Sequence, residues 1–385
     1  MSLDGRIIGV LGAGQLGYAN AVSLSAKAER VILYDRNAFV TDPIEAGRSH
    51  PRHFSGLMLP GNVHATASLE EVAAAHILFI DLHSEGIRPV FNQLVHYLKD
   101  DAVVVNDAKG LEQGTHKLPL RVVQEALAAN GKNATLVARS GWMLAANMVN
   151  GNTSYVDVAC EDAYAAEEVS RLFSGSRFKA RITTDVTGVQ LAGIMKNVYA
   201  ICAGLFDGLA KADPSHSKLY GAAKAIYMAE ATAEARQVGI LLGARPETFQ
   251  LNSYSWGMDY YSSCRYDTLN RLLGEQIGLG MKPDEAYTFV SQVRSRTPEG
   301  YHTTRELYDI IFSLQVEMPP ILKRTYEALF AGKDVNHSLM DGAVEISAGV
   351  RSHYGRALVR RVGRFAARAW GRINRARARR LSKSP

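Results

Sequence analysis

Cysteine is scarce: Cys160, Cys202 and Cys264 are the only three in 385 residues, widely spaced and odd in number. That excludes a disulfide framework, and the spacing matches no metal knuckle, so a reducing compartment and no metal are expected. No run of 18 uninterrupted apolar residues is present, so no membrane-spanning helix is expected. The first residues, MSLDGR, lead straight into a strand-like segment without a basic stretch and long apolar run. A cytoplasmic chain with no cleaved leader is the expectation. The last absence is acidic: residues 351–385 hold twelve Lys and Arg and no Asp or Glu. Removing those twelve from 44 basic residues leaves 32 against 38 acidic ones, so the overall charge of +6 belongs to the tail. An argument from charge to a polyanionic partner therefore concerns the tail and not the body.

What is present reads as two halves. Apolar runs at Arg6–Leu11, Val31–Tyr34, Ile77–Leu82, Ala102–Asn106 and Thr135–Ala138 alternate with helix-like segments such as Val90–Leu98 and Leu118–Ala129. Strands alternating with helices predict a parallel, doubly wound sheet. Tyr155–Ala159 and Phe178–Thr183 can extend it. From Val186 helical periodicity dominates, over Gly188–Leu209, Lys218–Val238 and Tyr308–Leu329. The expected layout is an α/β domain over residues 1–186, an all-α domain over 187–345 and a basic tail over 346–385.

Gly12, Gly14 and Gly17 satisfy G-x-G-x-x-G directly after the first strand and before a helix, with Gln15 and Leu16 opening that helix. The first glycine serves a tight turn, the second lets backbone approach a pyrophosphate, and the third lets helix and strand pack closely. Asp35 closes the second strand 18 residues past Gly17, where a carboxylate accepts from ribose hydroxyls. This context predicts a Rossmann-type dinucleotide domain that uses NAD. Arg36 beside Asp35 can pair with a 2′-phosphate, which keeps NADP open. Two lysines stand out beyond it. Lys109 follows the strand Ala102–Asn106, at the carboxyl end where open parallel sheets bind ligands. Lys196 sits beside Asn197 in the apolar helix Ala192–Gly204, where a desolvated ammonium is costly unless it is paired or used. A lysine there can polarise a carbonyl or move a proton, or it can snorkel to solvent.

At these residues the sequence resembles the NAD-dependent glycerol-3-phosphate dehydrogenase family, over most of residues 5–340. The matching pieces come in the family's order. They are the glycine loop at 12–17, Leu59-Pro60-Gly61-Asn62-Val63 before Ala65-Thr66, Lys109-Gly110-Leu111-Glu112 and Gly193-x-x-Lys196-Asn197-Val198. Glu247-Thr248-Phe249, Asp259 with Ser263-Cys264, and Glu299-Gly300 complete the set. The resemblance implies a homodimeric enzyme that interconverts glycerol 3-phosphate and dihydroxyacetone phosphate by hydride transfer at C2. It implies Lys196 as general acid/base, Lys109 as its assistant that also orients the substrate, and Asp259 as the group that holds Lys196 and tunes it. Ser263 stands where the family usually has threonine, and Asn197 would contact substrate.

Three segments depart from the family pattern. Its Gly-Pro-Ser-Phe-Ala is Gly141-Trp142-Met143-Leu144-Ala145 here, and its Val-Pro-Ser is Leu82-His83-Ser84, with Asp81 just before. Its Arg-Asn pair near the substrate phosphate is not intact within Arg265-Tyr266-Asp267-Thr268-Leu269-Asn270-Arg271. A one-residue shift makes Asn270 the retained asparagine and leaves Arg265 or Arg271 to supply the guanidinium. His83 is either new to the site or a loop histidine satisfied by backbone. The departures leave two alternatives beside the family reaction: the same lysine chemistry on another small hydroxy or keto substrate, or a dinucleotide-binding protein with little catalysis.

In the tail, Leu358, Val362, Phe365, Ala366, Ala369, Trp370 and Ile373 share one face of a helix with arginines opposite. An intersubunit contact with the acidic body, an anionic lipid surface and nucleic acid all suit a basic amphipathic segment. A single short stretch argues least for nucleic acid.

Overall fold

The computed structural model describes residues 5–175 and 177–347. The basic segment 351–385 lies outside the described residues.

Among the described residues, eight strands form one sheet: β1 (Ile7–Leu11), β2 (Arg30–Tyr34), β3 (Val63–Thr66), β4 (Ile77–Ile80), β5 (Val103–Asn106), β6 (Thr135–Trp142), β7 (Ser154–Ala159) and β8 (Phe178–Thr183). Their order is β3-β2-β1-β4-β5-β6-β7-β8. The chain leaves β1 toward β2 and β3, then crosses back to β4 on the other side of β1. That reversal opens a crevice at the carboxyl ends of β1 and β4, where such sheets take their ligands. The central strands are apolar throughout because helices cover both faces. β8 is the outer strand and carries exposed Lys179 and Arg181, which blunt its edge.

Two expectations need correction. The sheet is parallel except between β6 and β7, which pair antiparallel with Arg139 opposite Val158. The connection 143–153 holds only the short helix Ala145–Val149 and returns directly, whereas a parallel pair needs a longer crossover. The periodicity over Tyr308–Leu329 is two helices, Gly300–Ser313 and Pro320–Phe330. The first ends at Ser313, with Gln315 turning at a φ of +53°, and Pro320 starts the second, because proline at the first helical position loses no hydrogen bond.

The helical half is built on Val186–Ala212, which Asp185 caps by accepting from the Gly188 amide at 3.0 Å. This helix is long and apolar enough to cross a membrane, but 94% of that apolar window is buried inside the fold, as a core helix is. It packs on Leu269–Gly278 with almost no side chain between the backbones. A Cβ at Gly204 would sit 1.9 Å from the Arg271 carbonyl oxygen, and one at Gly208 2.2 Å from that of Glu275. On the facing helix a Cβ at Gly274 or Gly278 would meet the carbonyls of Ile201 and Leu205 at 2.0 and 2.2 Å. Only glycine at all four positions permits this approach.

Candidate active site

At the end of β1 the chain turns through Gly12, whose φ is +108° and whose missing Cβ would lie 2.6 Å from the Asp81 carbonyl oxygen. A Cβ at Gly17 would strike the Gly12 oxygen at 1.8 Å, so the helix Gln15–Ser25 starts hard against the loop. Gly14, at that helix's N-terminus, is exposed; among the described residues nothing lies within 4 Å of its Cβ position and no side chain caps the helix. The first amides therefore face an open cradle that any Cβ at Gly14 would fill. These residues fit the pyrophosphate of a dinucleotide. Asp35 is half-buried just beyond β2, with Oδ1 accepting from the Asn37 amide at 3.0 Å, and Arg36 beside it is exposed.

Asp259 is delivered from the helical half by a π-helical turn, Tyr254–Met258, continuous with the short helix Asp259–Arg265. Ser263 lies one turn further on. The turn is anchored by fully buried Trp256, stacked 4.7 Å from Tyr260 and edge-on to Tyr199 at 5.5 Å. Tyr199 is three residues past Lys196 on the long helix. The same aromatic cluster thus fixes both partners of the lysine–carboxylate contact.

That contact is three-membered. Lys196 Nζ lies 3.1 Å from Asp259 Oδ1 and donates to Ser263 Oγ at 2.7 Å. Lys109 Nζ donates to Asp259 Oδ2 at 2.6 Å and to the Gly141 carbonyl at 3.0 Å. The Lys196 side chain is 12% exposed and that of Lys109 18%. Burial pulls the Lys196 ammonium below its ordinary value, Asp259 opposes this, and the charge on Lys109 adds to the lowering. Burial alone would raise Asp259, but Lys109 and Lys196 outweigh it and hold the carboxylate below its usual range. One anion shared by two ammonium groups leaves net positive charge, which suits a developing alkoxide.

Asn197 donates to the Lys109 carbonyl at 3.3 Å and accepts from Asn270 at 2.9 Å, and Asn270 in turn accepts from the Gly300 amide at 2.9 Å. Asn270 is therefore part of the site, preceded by Leu269 where the resemblance would place arginine. Arg271 is engaged elsewhere: it binds Asp207 at 2.8 Å, Glu275 at 3.2 Å and the Tyr266 carbonyl at 2.8 Å. Asp207 lies eleven residues along the helix from Lys196, roughly 16 Å at the helical rise. Arg265 is exposed at the end of its short helix. Trp142 follows Gly141 and meets the Tyr266 ring edge-on at 5.3 Å, joining two of the departing segments into one aromatic wall.

His83 reaches across the cleft to Glu299 at 3.3 Å, and that hydrogen bond raises it above the ordinary histidine value. Arg296 makes a second crossing, donating to Gln15 of the glycine loop at 2.8 Å. Sequence reasoning missed Arg296. It also missed His50, buried after the second strand, whose Nε2 pairs with the Ala13 carbonyl at 2.8 Å. Its Nδ1 accepts two backbone amides, from Arg52 and His53, so Nε2 carries the proton in the neutral ring. The nearby basic run Arg48–His53 was the one signal that could have drawn attention to it.

A glycine-loop cradle at the sheet's switch point, with a carboxylate of the helical half shared by one lysine from each half, defines a nicotinamide-dependent dehydrogenase acting on a CH–OH group. Comparison narrows the class. Residues 7–166 match the NAD-dependent glycerol-3-phosphate dehydrogenase N-terminus and residues 185–340 the C-terminus of the same family. The chain belongs to the NAD-dependent glycerol-3-phosphate dehydrogenase family. Among its relatives is the glycerol-3-phosphate dehydrogenase (NAD(P)+) of Desulfitobacterium hafniense, 31% identical over 85% of this chain and 88% of that protein. The protein of the same name from Desulfotalea psychrophila is 31% identical over 87% and 95%. The fold matches the crystal structure of glycerol-3-phosphate dehydrogenase from Coxiella burnetii with a TM-score of 0.77 at 23% identity, covering 87% of this chain and 98% of that one.

Proposed function

We propose that the protein interconverts glycerol 3-phosphate and dihydroxyacetone phosphate with NAD, and that Lys196 is the general acid/base. The observation that carries this is the pair of lysines sharing Asp259, at 3.1 and 2.6 Å, in a cleft beside the glycine loop. A bound nicotinamide supplies or accepts the hydride. Lys196 gives a proton to the C2 oxygen in reduction and removes it in oxidation. Lys109 holds the carbonyl oxygen and adds positive charge as the alkoxide develops. Asp259 keeps both ammonium groups in one geometry, and Ser263 limits where Lys196 Nζ points. Asn197 and Asn270 form the floor against which the substrate lies. Asp35 receives the adenosine ribose and disfavours a 2′-phosphate.

NADH oxidation with dihydroxyacetone phosphate, abolished in Lys196→Ala, is the expected result. The engagement of Arg271 with Asp207 and Glu275 favours a second reading, in which the same lysines reduce another small keto substrate. Turnover only with such carbonyl compounds would select it, and NADH binding without any turnover would remove both.

The tail carries a separate proposal, docking of residues 351–385 on an anionic lipid surface, which rests on its amphipathic pattern alone. Flotation of the full chain with anionic vesicles, lost on truncation at Ser352, is expected. Equal, negligible binding by both forms would refute it.

A further inference from the structure

Four polar side chains are packed together beneath the glycine loop, and none takes part in the chemistry described above. The register explains how they meet. Ile80, Asn106 and Ala138 are partners across β4, β5 and β6, so Asp81, Asp107 and Arg139 form the next rung at the carboxyl edge. Asn20, on the helix Gln15–Ser25, lies over that rung.

Arg139 and Asp107 are fully buried at their side chains. Arg139 donates through Nε to Asp107 Oδ1 at 2.8 Å, and through Nη2 to Asp107 Oδ2 and to Asn20 Oδ1. Asn20 Nδ2 donates to Asp81 Oδ2 at 2.8 Å and to Asp107 Oδ2 at 3.1 Å. The guanidinium lies against the Phe173 ring, 3.9 Å from its centroid, with Phe79 at 5.0 Å. Around one cation there are thus two carboxyl groups, bridged by one amide. Among the described residues, Asp81 Oδ1 and Arg139 Nη1 find no hydrogen-bond partner, though both are buried.

We propose that Asn20, Asp81, Asp107 and Arg139 are one positioning brace, in which either carboxyl group can balance Arg139, and that it holds Lys109 and the Gly141 carbonyl in place relative to the glycine loop. The chain connectivity gives it that reach. Asp107 is two residues before Lys109, and Arg139 is two residues before Gly141, whose carbonyl receives Lys109 Nζ. At the other end, the Asp81 backbone is the surface against which Gly12 turns. The brace therefore joins the cofactor cradle to the carbonyl-orienting lysine. Its charge balance follows from its composition: a buried cation needs one counter-charge, and a second ionised carboxylate beside the first has none. Burial, then the facing Asp107, push Asp81 well above the carboxylate range, against Arg139 and Asn20. Asp107 is the carboxyl group paired directly with the guanidinium, and Asp81 is the second one, reached through Asn20.

The brace rests on the role proposed for Lys109, so its test has an arm that does not depend on turnover. Asp81→Asn, Asp107→Asn and the double variant are made in the full chain and followed by thermal unfolding. Each single variant is expected to fold, because the remaining carboxylate takes the charge. The double variant is expected to lose more Tm than the sum of the two, or not to fold, since Arg139 is then buried alone. Additive losses, or an Asp107→Asn variant as unstable as the double, overturn the sharing. The second arm is Asn20→Leu, which cuts the link to the cradle and leaves the Arg139–Asp107 pair. A fall in kcat of about tenfold or more, with KM for NADH within about twofold, is expected if Lys109 loses its place. A lower Tm with wild-type kcat overturns the positioning role. If Lys109→Met keeps full turnover, the reading of Lys109 fails while the unfolding comparison still decides the brace.

Discussion

Asp259→Asn changes one atom and isolates the electrostatics of the site. Lys109 keeps the Gly141 carbonyl and Lys196 keeps Ser263 Oγ, so the side chains are not set adrift. What disappears is the counter-charge that both share at 2.6 and 3.1 Å. At an effective dielectric of about 20, a contact near 3 Å corresponds to roughly 5 kcal/mol of attraction before desolvation. Removing one partner of a buried pair typically costs about 3–5 kcal/mol. The cost here falls below that, because Lys196 is already lowered by burial and relieves the repulsion by releasing its proton. The functional effect is larger than the structural one. Reduction of a ketone needs the protonated lysine, so activity declines as pH rises through its pKa. Without Asp259, the one group raising that pKa most is gone, and the decline moves to lower pH. Initial rates of NADH oxidation measured across pH should show turnover about 10²–10⁴-fold below wild type, with the alkaline limb shifted downward. Wild-type turnover, or a limb that stays or moves upward, would refute the shared-carboxylate reasoning.

The helix seam predicts that Gly204→Ala lowers Tm by the equivalent of about 1–3 kcal/mol, since the added methyl meets backbone and not a movable side chain. Gly221→Ala, in a helix with open space at that Cβ, should be neutral or slightly stabilising, and equal Tm values would sink the comparison. Glu234 is buried and caps the Ile321 and Leu322 amides at 2.7 and 3.0 Å, and burial raises it from 4.5 to about 7. The folded state then binds more protons than the unfolded one between those values, so stability falls as pH rises through that window, by roughly 3 kcal/mol. Glu234→Gln removes this slope; a constant offset from wild type in urea unfolding at pH 5 and pH 8 would disprove it. Asp35→Ala should raise the NADPH-to-NADH ratio of kcat/KM by about tenfold or more, and an unchanged ratio would show that the carboxylate does not face the ribose.

The parts of the fold carried by contiguous signals were legible. β1 and the glycine loop are a run of apolar residues followed by glycines whose spacing has a geometric cause, and Lys196 is conspicuous because an ammonium interrupts an apolar helix. β3 was missed because Val63-His64-Ala65-Thr66 is short and only alternately buried, with no strong apolar run. Strand direction at β6–β7 has no local signature, since it depends on how the connection returns. The Asn20–Asp81–Asp107–Arg139 brace was invisible for a related reason. Each member looks like an ordinary polar residue in a helix or at a strand end, and only cross-strand register reveals that they are neighbours. Arg271 shows the opposite failure: a guanidinium at a suggestive position, which the fold commits to Asp207 and Glu275.

The seam of Gly204, Gly208, Gly274 and Gly278 divides the site into parts with different freedom to evolve. Two helices in backbone contact cannot slide or part without losing the whole seam, so Lys196, Asn197 and Asn270 keep fixed spacings in the proposed site. The aromatic wall of Trp142, the last residue of β6, and Tyr266, just past the helix Asp259–Arg265, stands outside that seam. On the proposed function, rewriting the wall would therefore change which substrate fits while the spacing of Lys196, Asn197 and Asn270 stays as it is.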